Sequence, residues 1–319
     1  MIDGFINLNK PVGWTSHDCV ARARKLLNTK KIGHGGTLDP LATGVLPLAV
    51  GRATRLLQYL PEGKAYRAVI RFGLTTTTDD LEGDIVEQQD ATELEMAVVE
   101  ATLPKFIGHI EQIPPMYSAI QVDGQRLYDL ARAGKAIEVP KRLVTIERLV
   151  AKSWKPGVQP ELTVEVICGP GTYIRSLARD LGEAVGTGAT LSGLTRTHSS
   201  GFEIADSMAL EDLEEAIAQN IFAPVPAGKA VEHLDVIALP PDLARRWQLG
   251  QKLEIEADIP LPKPVSGSAH YPPVRILEET SQTFLGISEI RSIPTSTDPL
   301  SADSVSKILA PKRVFLTPD

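Results

Sequence analysis

From Tyr66 to Phe72 the side chains alternate without a break. Tyr66, Ala68, Ile70 and Phe72 fall on one face, and Arg67, Val69 and Arg71 on the other. A strand of this kind must bury one face, which commits the chain to a covered sheet. Further strands are expected at 5–8, 45–50 and 162–168. A helix is expected from a Thr15 or Ser16 cap to Leu27, with Asp18 completing a capping-box pattern. Ala53, Leu56, Leu57 and Leu60 outline a helix face stopped by Pro61. Ile174, Leu177, Ala178 and Leu181 outline another, and 209–219 reads as a third helix. Strands and helices do not alternate regularly, so the expected class is α+β with a mixed sheet.

At 319 residues, two domains fit. The character changes after about Pro226, which puts the boundary near Gly228, and short strands are expected beyond it at 274–277 and 284–290. A proline-rich loop over 255–268, with Pro260, Pro262 and Pro264, lies ahead of them. Cys19 and Cys168 are the only cysteines, too few for a disulfide framework, and no CxxC offers a zinc site. No secretion signal opens the chain and no apolar run approaches the roughly 20 residues of a membrane helix, so a soluble cytoplasmic protein is expected. The formal net charge is −7, but it is unevenly spread. Residues 1–75 hold 11 Lys and Arg against 4 Asp and Glu, whereas 76–150 hold 7 against 14. A basic first quarter fits a local phosphate-binding face, or merely uneven surface charge.

The densest cluster of chemically capable residues is Gly33-His34-Gly35-Gly36-Thr37-Leu38-Asp39-Pro40-Leu41-Ala42-Thr43-Gly44. A phosphate loop fails for want of a Gly-Lys-Ser/Thr, and a dinucleotide fingerprint fails at Leu38. No GxSxG is present. His17, Cys19 and His34 are suitable metal ligands by type but lack a second cluster. What remains is an aspartate whose backbone is restricted by Pro40 and whose neighbours Leu38 and Leu41 limit water. Such a carboxylate suits a nucleophile or general base, or an Asx-turn that shapes a loop. The acids Asp79, Asp80, Glu82 and Asp84 lack EF-hand spacing and read as a solvated turn.

Gly33 to Arg55 resembles the active-site segment of the TruB family of tRNA pseudouridine-55 synthases. Lys10-Pro11, Gly13 and Thr15-Ser16 resemble its opening motif, and Lys64-Ala65-Tyr66-Arg67 its KxYR strand. Pro114-Pro115, Tyr117-Ser118-Ala119, Gly124, Leu127-Tyr128, Ala131-Arg132 and Gly134 resemble its RNA-gripping insertion, here about 105–142. Gly171-Thr172-Tyr173-Ile174-Arg175-Ser176 resembles GTYIR. Two departures are Gly35, where Thr is commoner, and Gln121, where Lys often stands.

The resemblance implies a pseudouridine-synthase catalytic domain over 1–228, followed by a small, mostly β, PUA-like domain over 229–319. It implies Asp39 as catalytic nucleophile, Arg175 as its partner and Tyr66 stacking on the target base. Tyr173 and Leu194 would line the base pocket, His34 would contact RNA, and Lys10 would support the loop. The basic stretch from Arg22 to Lys31 would hold phosphates. The implied reaction isomerises a T-loop uridine of tRNA by base flipping, without cofactor or metal. A monomer with no obligate protein partner is expected. A non-catalytic tRNA-binding protein on the same scaffold is the rival, and a nucleoside glycosidase a third reading.

Overall fold

The computed structural model describes residues 2–117, 121–122, 125–126, 139–255, 259, 261–264, 270–294 and 305–315. The strands of the first sheet are β1 (Gly4–Lys10), β2 (Ile32–His34), β3 (Thr43–Val50) and β4 (Lys64–Phe72). After a small pair, β5 (Leu74–Thr76) and β6 (Ile85–Gln88), come β7 (Gly108–Gln112) and the short hairpin β8 (Gln121–Val122) and β9 (Gln125–Arg126). Then follow β10 (Arg142–Lys155), β11 (Glu161–Cys168), β12 (Ala189–Ser199) and β13 (Phe202–Glu203). Among described residues the large sheet has the order β1-β3-β12-β4-β11-β10-β7, with β2 beside β3 and β13 beside β12. All its pairings are antiparallel except β3 with β12, so the sheet is mixed, as the irregular element order predicts.

The alternation at β4 is realised: Tyr66, Ala68, Ile70 and Phe72 are buried. They pack in one apolar cluster with Leu162, Val164, Val166, Leu177 and Leu181. Each Val, Leu, Ile or Phe among them contributes about 1.5–3 kcal/mol through burial. Leu177 and Leu181 come from the helix Ile174–Val185, which lays its expected face on the sheet and stops at Gly186, φ 80°. The helix Ser16–Leu26 starts at Thr15, whose side chain accepts from Asp18 N, completing the capping box.

Gly51–Tyr59 forms a 3₁₀ helix, not the expected α-helix, although Ala53 and Leu56 are buried as its pattern requires. The parallel contact of β3 with β12 depends on Gly44, φ +100°. A Cβ there would lie 2.3 Å from Arg196 O.

The later strands are β14 (Val236–Leu239), β15 (Leu253–Glu254), β16 (Val274–Glu278), β17 (Phe284–Pro294) and β18 (Val305–Val314). They form a second sheet in the order β14-β16-β17-β18-β15. The strands expected at 274–277 and 284–290 are present, the latter longer than expected. Most of the proline-rich loop lies outside the described residues. The motif residues Ser118, Ala119, Gly124, Leu127, Tyr128, Ala131, Arg132 and Gly134 lie outside them too. The two sheets share a seam, where Val231, Ile287 and Phe315 pack with Phe5, Val45, Ala49 and Leu56.

Candidate active site

The segment joining β2 to β3 presents Asp39, and the backbone on both sides of that residue is tied down by other parts of the chain. Arg196 of β12 donates to Gly36 O at 3.1 Å, Thr37 O at 3.3 Å and Val45 O at 2.8 Å. Ser16 Oγ accepts from Leu38 N at 2.8 Å and donates to Leu38 O at 3.2 Å. Pro40 O accepts from Gly13 N at 2.8 Å and from Lys10 Nζ at 3.3 Å. Thr43 Oγ1 meets Thr195 Oγ1 at 3.0 Å. The loop is therefore stiff without regular secondary structure of its own.

Lys10 is 0% exposed and also donates to Pro11 O and Trp14 O. Burial holds its ammonium below the ordinary lysine range. Its three acceptors are all backbone carbonyl oxygens, one of them that of Pro40, the residue after Asp39.

Arg175 lies beside Asp39. Its Nε is 3.0 Å from Asp39 Oδ2, and its Nη2 donates to Oδ1 at 3.2 Å. The same guanidinium donates to Thr78 O at 3.2 Å and Tyr117 O at 3.0 Å, and stands 3.5 Å from Asp80 Oδ2. Arg175 is 5% exposed, so it is no solvent-facing helix arginine. The Asp39 side chain keeps 38% exposure. Burial pushes its carboxyl above the ordinary range, Arg175 pulls it back, and Asp80 adds to the rise.

The acidic turn corrects an expectation. It is not solvated throughout, because Asp80 is 2% exposed. Asp80 Oδ1 accepts from Glu82 N at 3.0 Å, and Thr78 Oγ1 donates to the same oxygen. Asp79 pairs with Arg179 at 2.8 Å. The turn is drawn inward because two arginines of one helix, Arg175 and Arg179, need buried counter-charges.

Tyr66 is 7% exposed, and burial pushes its phenol up while the positive charge of Arg196, its cross-strand neighbour, opposes the rise. Leu194 on the adjacent β12 faces Ala68 of β4 in register and packs against the main core. Tyr173 caps the helix carrying Arg175. Its backbone is gripped twice by Gln112, whose Nε2 donates to Tyr173 O at 3.2 Å and whose Oε1 accepts from Tyr173 N at 3.1 Å. His34 Nδ1 accepts from Gly36 N at 3.3 Å, and its ring meets His17 edge-on at 5.6 Å. Burial lowers its pKa, so the ring is neutral at pH 7. Cys19 is buried, and its thiol is pushed up to about 11. In the basic stretch, Arg22 is paired with Glu214 at 2.6 Å and Arg24 donates to Ile32 O at 2.8 Å.

Asp39, Arg175 and Tyr66 are thus linked through two arginines. Arg175 holds Asp39, and Arg196 binds the Asp39 loop from the strand position opposite Tyr66. Arg196 and Gln112 are parts of this assembly that sequence reasoning did not single out, and Ser16 and Asp80 are parts that it read in other roles. The signals available were that Ser16 belongs to the opening motif and Asp80 to an acidic run.

A model of the TruB family pseudouridylate synthase N-terminal domain matches residues 24–174. A model of the tRNA pseudouridylate synthase B C-terminal domain matches 175–238. A curated tRNA pseudouridine synthase B of Trichormus variabilis is 52% identical over 291 residues, covering 91% of this chain and 96% of the relative. Another, of Synechocystis sp., is 55% identical, covering 81% and 87%. Among solved structures, a chain in an H/ACA ribonucleoprotein bound to a substrate RNA containing 2'-deoxyuridine is similar with a TM-score of 0.70 at 26% identity. That likeness covers 98% of this chain and 85% of the other. A chain in an archaeal box H/ACA Nop10-Cbf5 complex is similar with a TM-score of 0.68 at 27% identity, covering 98% and 86%. The chain belongs to the TruB family of pseudouridylate synthases.

Proposed function

We propose that this chain converts uridine to pseudouridine at position 55 in the T-loop of tRNA, with Asp39 as nucleophile. The observation that carries the reading is the Asp39 carboxylate, open to solvent, gripped by Arg175 at 3.0 and 3.2 Å on a loop pinned at both sides. In the reaction the N1–C1′ bond of uridine breaks and a C5–C1′ bond forms. C5 gives up its proton and N1 gains one, so atoms balance with neither oxidant nor cofactor. A fixed carboxylate serves such a reaction because an electron-poor sugar carbon develops beside it. Arg175 keeps Asp39 ionised and aimed, while Asp80 shares the same guanidinium and works against that ionisation. Tyr66, Tyr173 and Leu194 receive the extruded base, and His34 contacts the RNA. Lys10 holds the loop and touches no substrate.

Residues 1–228 make up the catalytic unit in this reading, and 229–319 a PUA-like unit that adds RNA contacts. The protein acts on the T-arm of tRNA as a cytoplasmic monomer with no obligate protein partner. Among the described residues no helix is long and apolar enough to cross a membrane. The test is incubation with an unmodified tRNA transcript and chemical mapping of pseudouridine. One modified uridine in the T-loop supports the reading; an unmodified product, or free uracil, refutes it.

A further inference from the structure

Lys64 opens β4 beside the glycines of the Asp39 loop, and the resemblance to known motifs gives it no task. Gly36 has φ +135° and no side chain, and the space this leaves is bordered by two cations. A Cβ on Gly36 would lie 3.6 Å from Lys64 Nζ and 3.7 Å from Arg196 Nη1. Among the described residues neither cation has a carboxylate within ion-pair distance, and Glu62 and Asp39 act on them only from further off. Arg196 donates to three carbonyl oxygens, all uncharged. Lys64 is half-buried and Arg196 is 0% exposed, so two positive charges sit close together, poorly hydrated and repelling each other. An arrangement like this is stabilised when an anion enters. Arg196 supplies field from beneath, and Lys64 supplies the contact. Only Thr37 and Leu38 separate Gly36 from Asp39, so the two lie at most about 11 Å apart along the chain. That is within reach of the sugar–phosphate backbone on either side of a nucleotide reacting at Asp39.

We propose that Lys64, backed by the buried Arg196 across the bare face of Gly36, seats a phosphodiester of the RNA backbone flanking the reacting uridine. The proposal rests on the RNA-modifying reading above. The seat would fix the strand's path beside the loop, drawing the sugar toward Asp39 while the base is held elsewhere.

The test compares the full-length chain with Lys64→Met and Lys64→Arg in binding a T-arm RNA across a salt series. Met keeps the apolar stem and removes the charge. Lys64→Met is expected to weaken binding roughly tenfold at low salt. The slope of log K against log salt should fall by about 0.7–0.9, the share of one phosphate contact. Lys64→Arg should recover most of both, and the loss should appear in Kd more than in the single-turnover rate at saturating RNA. An unaltered salt slope in Lys64→Met overturns the proposal, as does an arginine variant no better than methionine.

A second measurement needs no variant that might misfold. A neutral methylphosphonate is placed, in turn, at each phosphate flanking the target uridine. One of the two should weaken binding to the wild-type chain about as much as Lys64→Met does, and Lys64→Met should be indifferent to that same linkage. Equal sensitivity of both proteins, or of neither, rules the seat out. Failure of the wild-type chain to make pseudouridine would defeat the catalytic reading, while these binding results alone judge the seat.

Discussion

Ser16→Ala removes a single oxygen whose two hydrogen bonds hold the residue before Asp39. Ser16 is 1% exposed and Leu38 4%, so water cannot replace the lost partner. Leu38 N and O are then left without Ser16, at a cost of about 1–3 kcal/mol. A chain of 319 residues unfolds with an entropy of about 0.7 kcal/mol/K. The melting temperature should therefore fall by roughly 2–4 °C. The larger effect should fall on chemistry. A loop freed to drift by about 1 Å can lose on the order of 100-fold in rate, so the single-turnover rate on saturating tRNA should drop about 10- to 100-fold.

Thr15→Ala separates this from general loosening of the helix. It removes the cap, costing about 1 kcal/mol, but leaves Ser16 and Leu38 bonded. Its melting temperature should fall while its rate stays near that of the wild type. Equal rate losses in both variants would mean that helix placement, not the Ser16–Leu38 bonds, controls the loop. A Ser16→Ala enzyme with full rate would refute the reasoning altogether.

Arg175→Met should slow the chemical step more than it weakens RNA binding, as single-turnover rates and Kd can separate. Asp39 already titrates above the ordinary aspartate range, and Arg175 opposes that rise. Its removal should shift the acid limb of the pH–rate profile to higher pH, so the loss should be greater at pH 6 than at pH 8. Deleting the chain after Gly228 strips Val231, Ile287 and Phe315 from the cluster that covers Phe5, Val45 and Leu56. The truncated protein should melt at lower temperature by differential scanning calorimetry, yet form pseudouridine in the cold because Asp39, Tyr66, Tyr173, Arg175 and Leu194 remain.

The parts of this protein legible in its sequence are those governed by neighbours along the chain. The period-two pattern of β4 and the capping box at Thr15 are local, and both occur as written. Asp39 stood out because glycines and Pro40 lie next to it. The 3₁₀ conformation of Gly51–Tyr59 was hidden because spacings of three and four residues suit either helix. The site's scaffold was hidden for another reason. Arg196 reaches Gly36 across 160 positions, and Gln112 reaches Tyr173 across 61. Nothing near either residue in sequence marks these bonds. Asp80 was misread because an acidic run in isolation favours water. Only the fold shows two arginines waiting beneath it.

The most direct test of the account is Asp39→Asn, assayed with purified enzyme on unmodified T-arm RNA. The amide keeps the shape and neighbours of the carboxylate but removes its charge and nucleophilicity. Pseudouridine formation should vanish even in a single turnover with excess enzyme, while Kd for the RNA stays within a few fold, because phosphate contacts and shape carry binding. Substantial pseudouridine from the Asp39→Asn protein would contradict the assignment of Asp39 as the nucleophile.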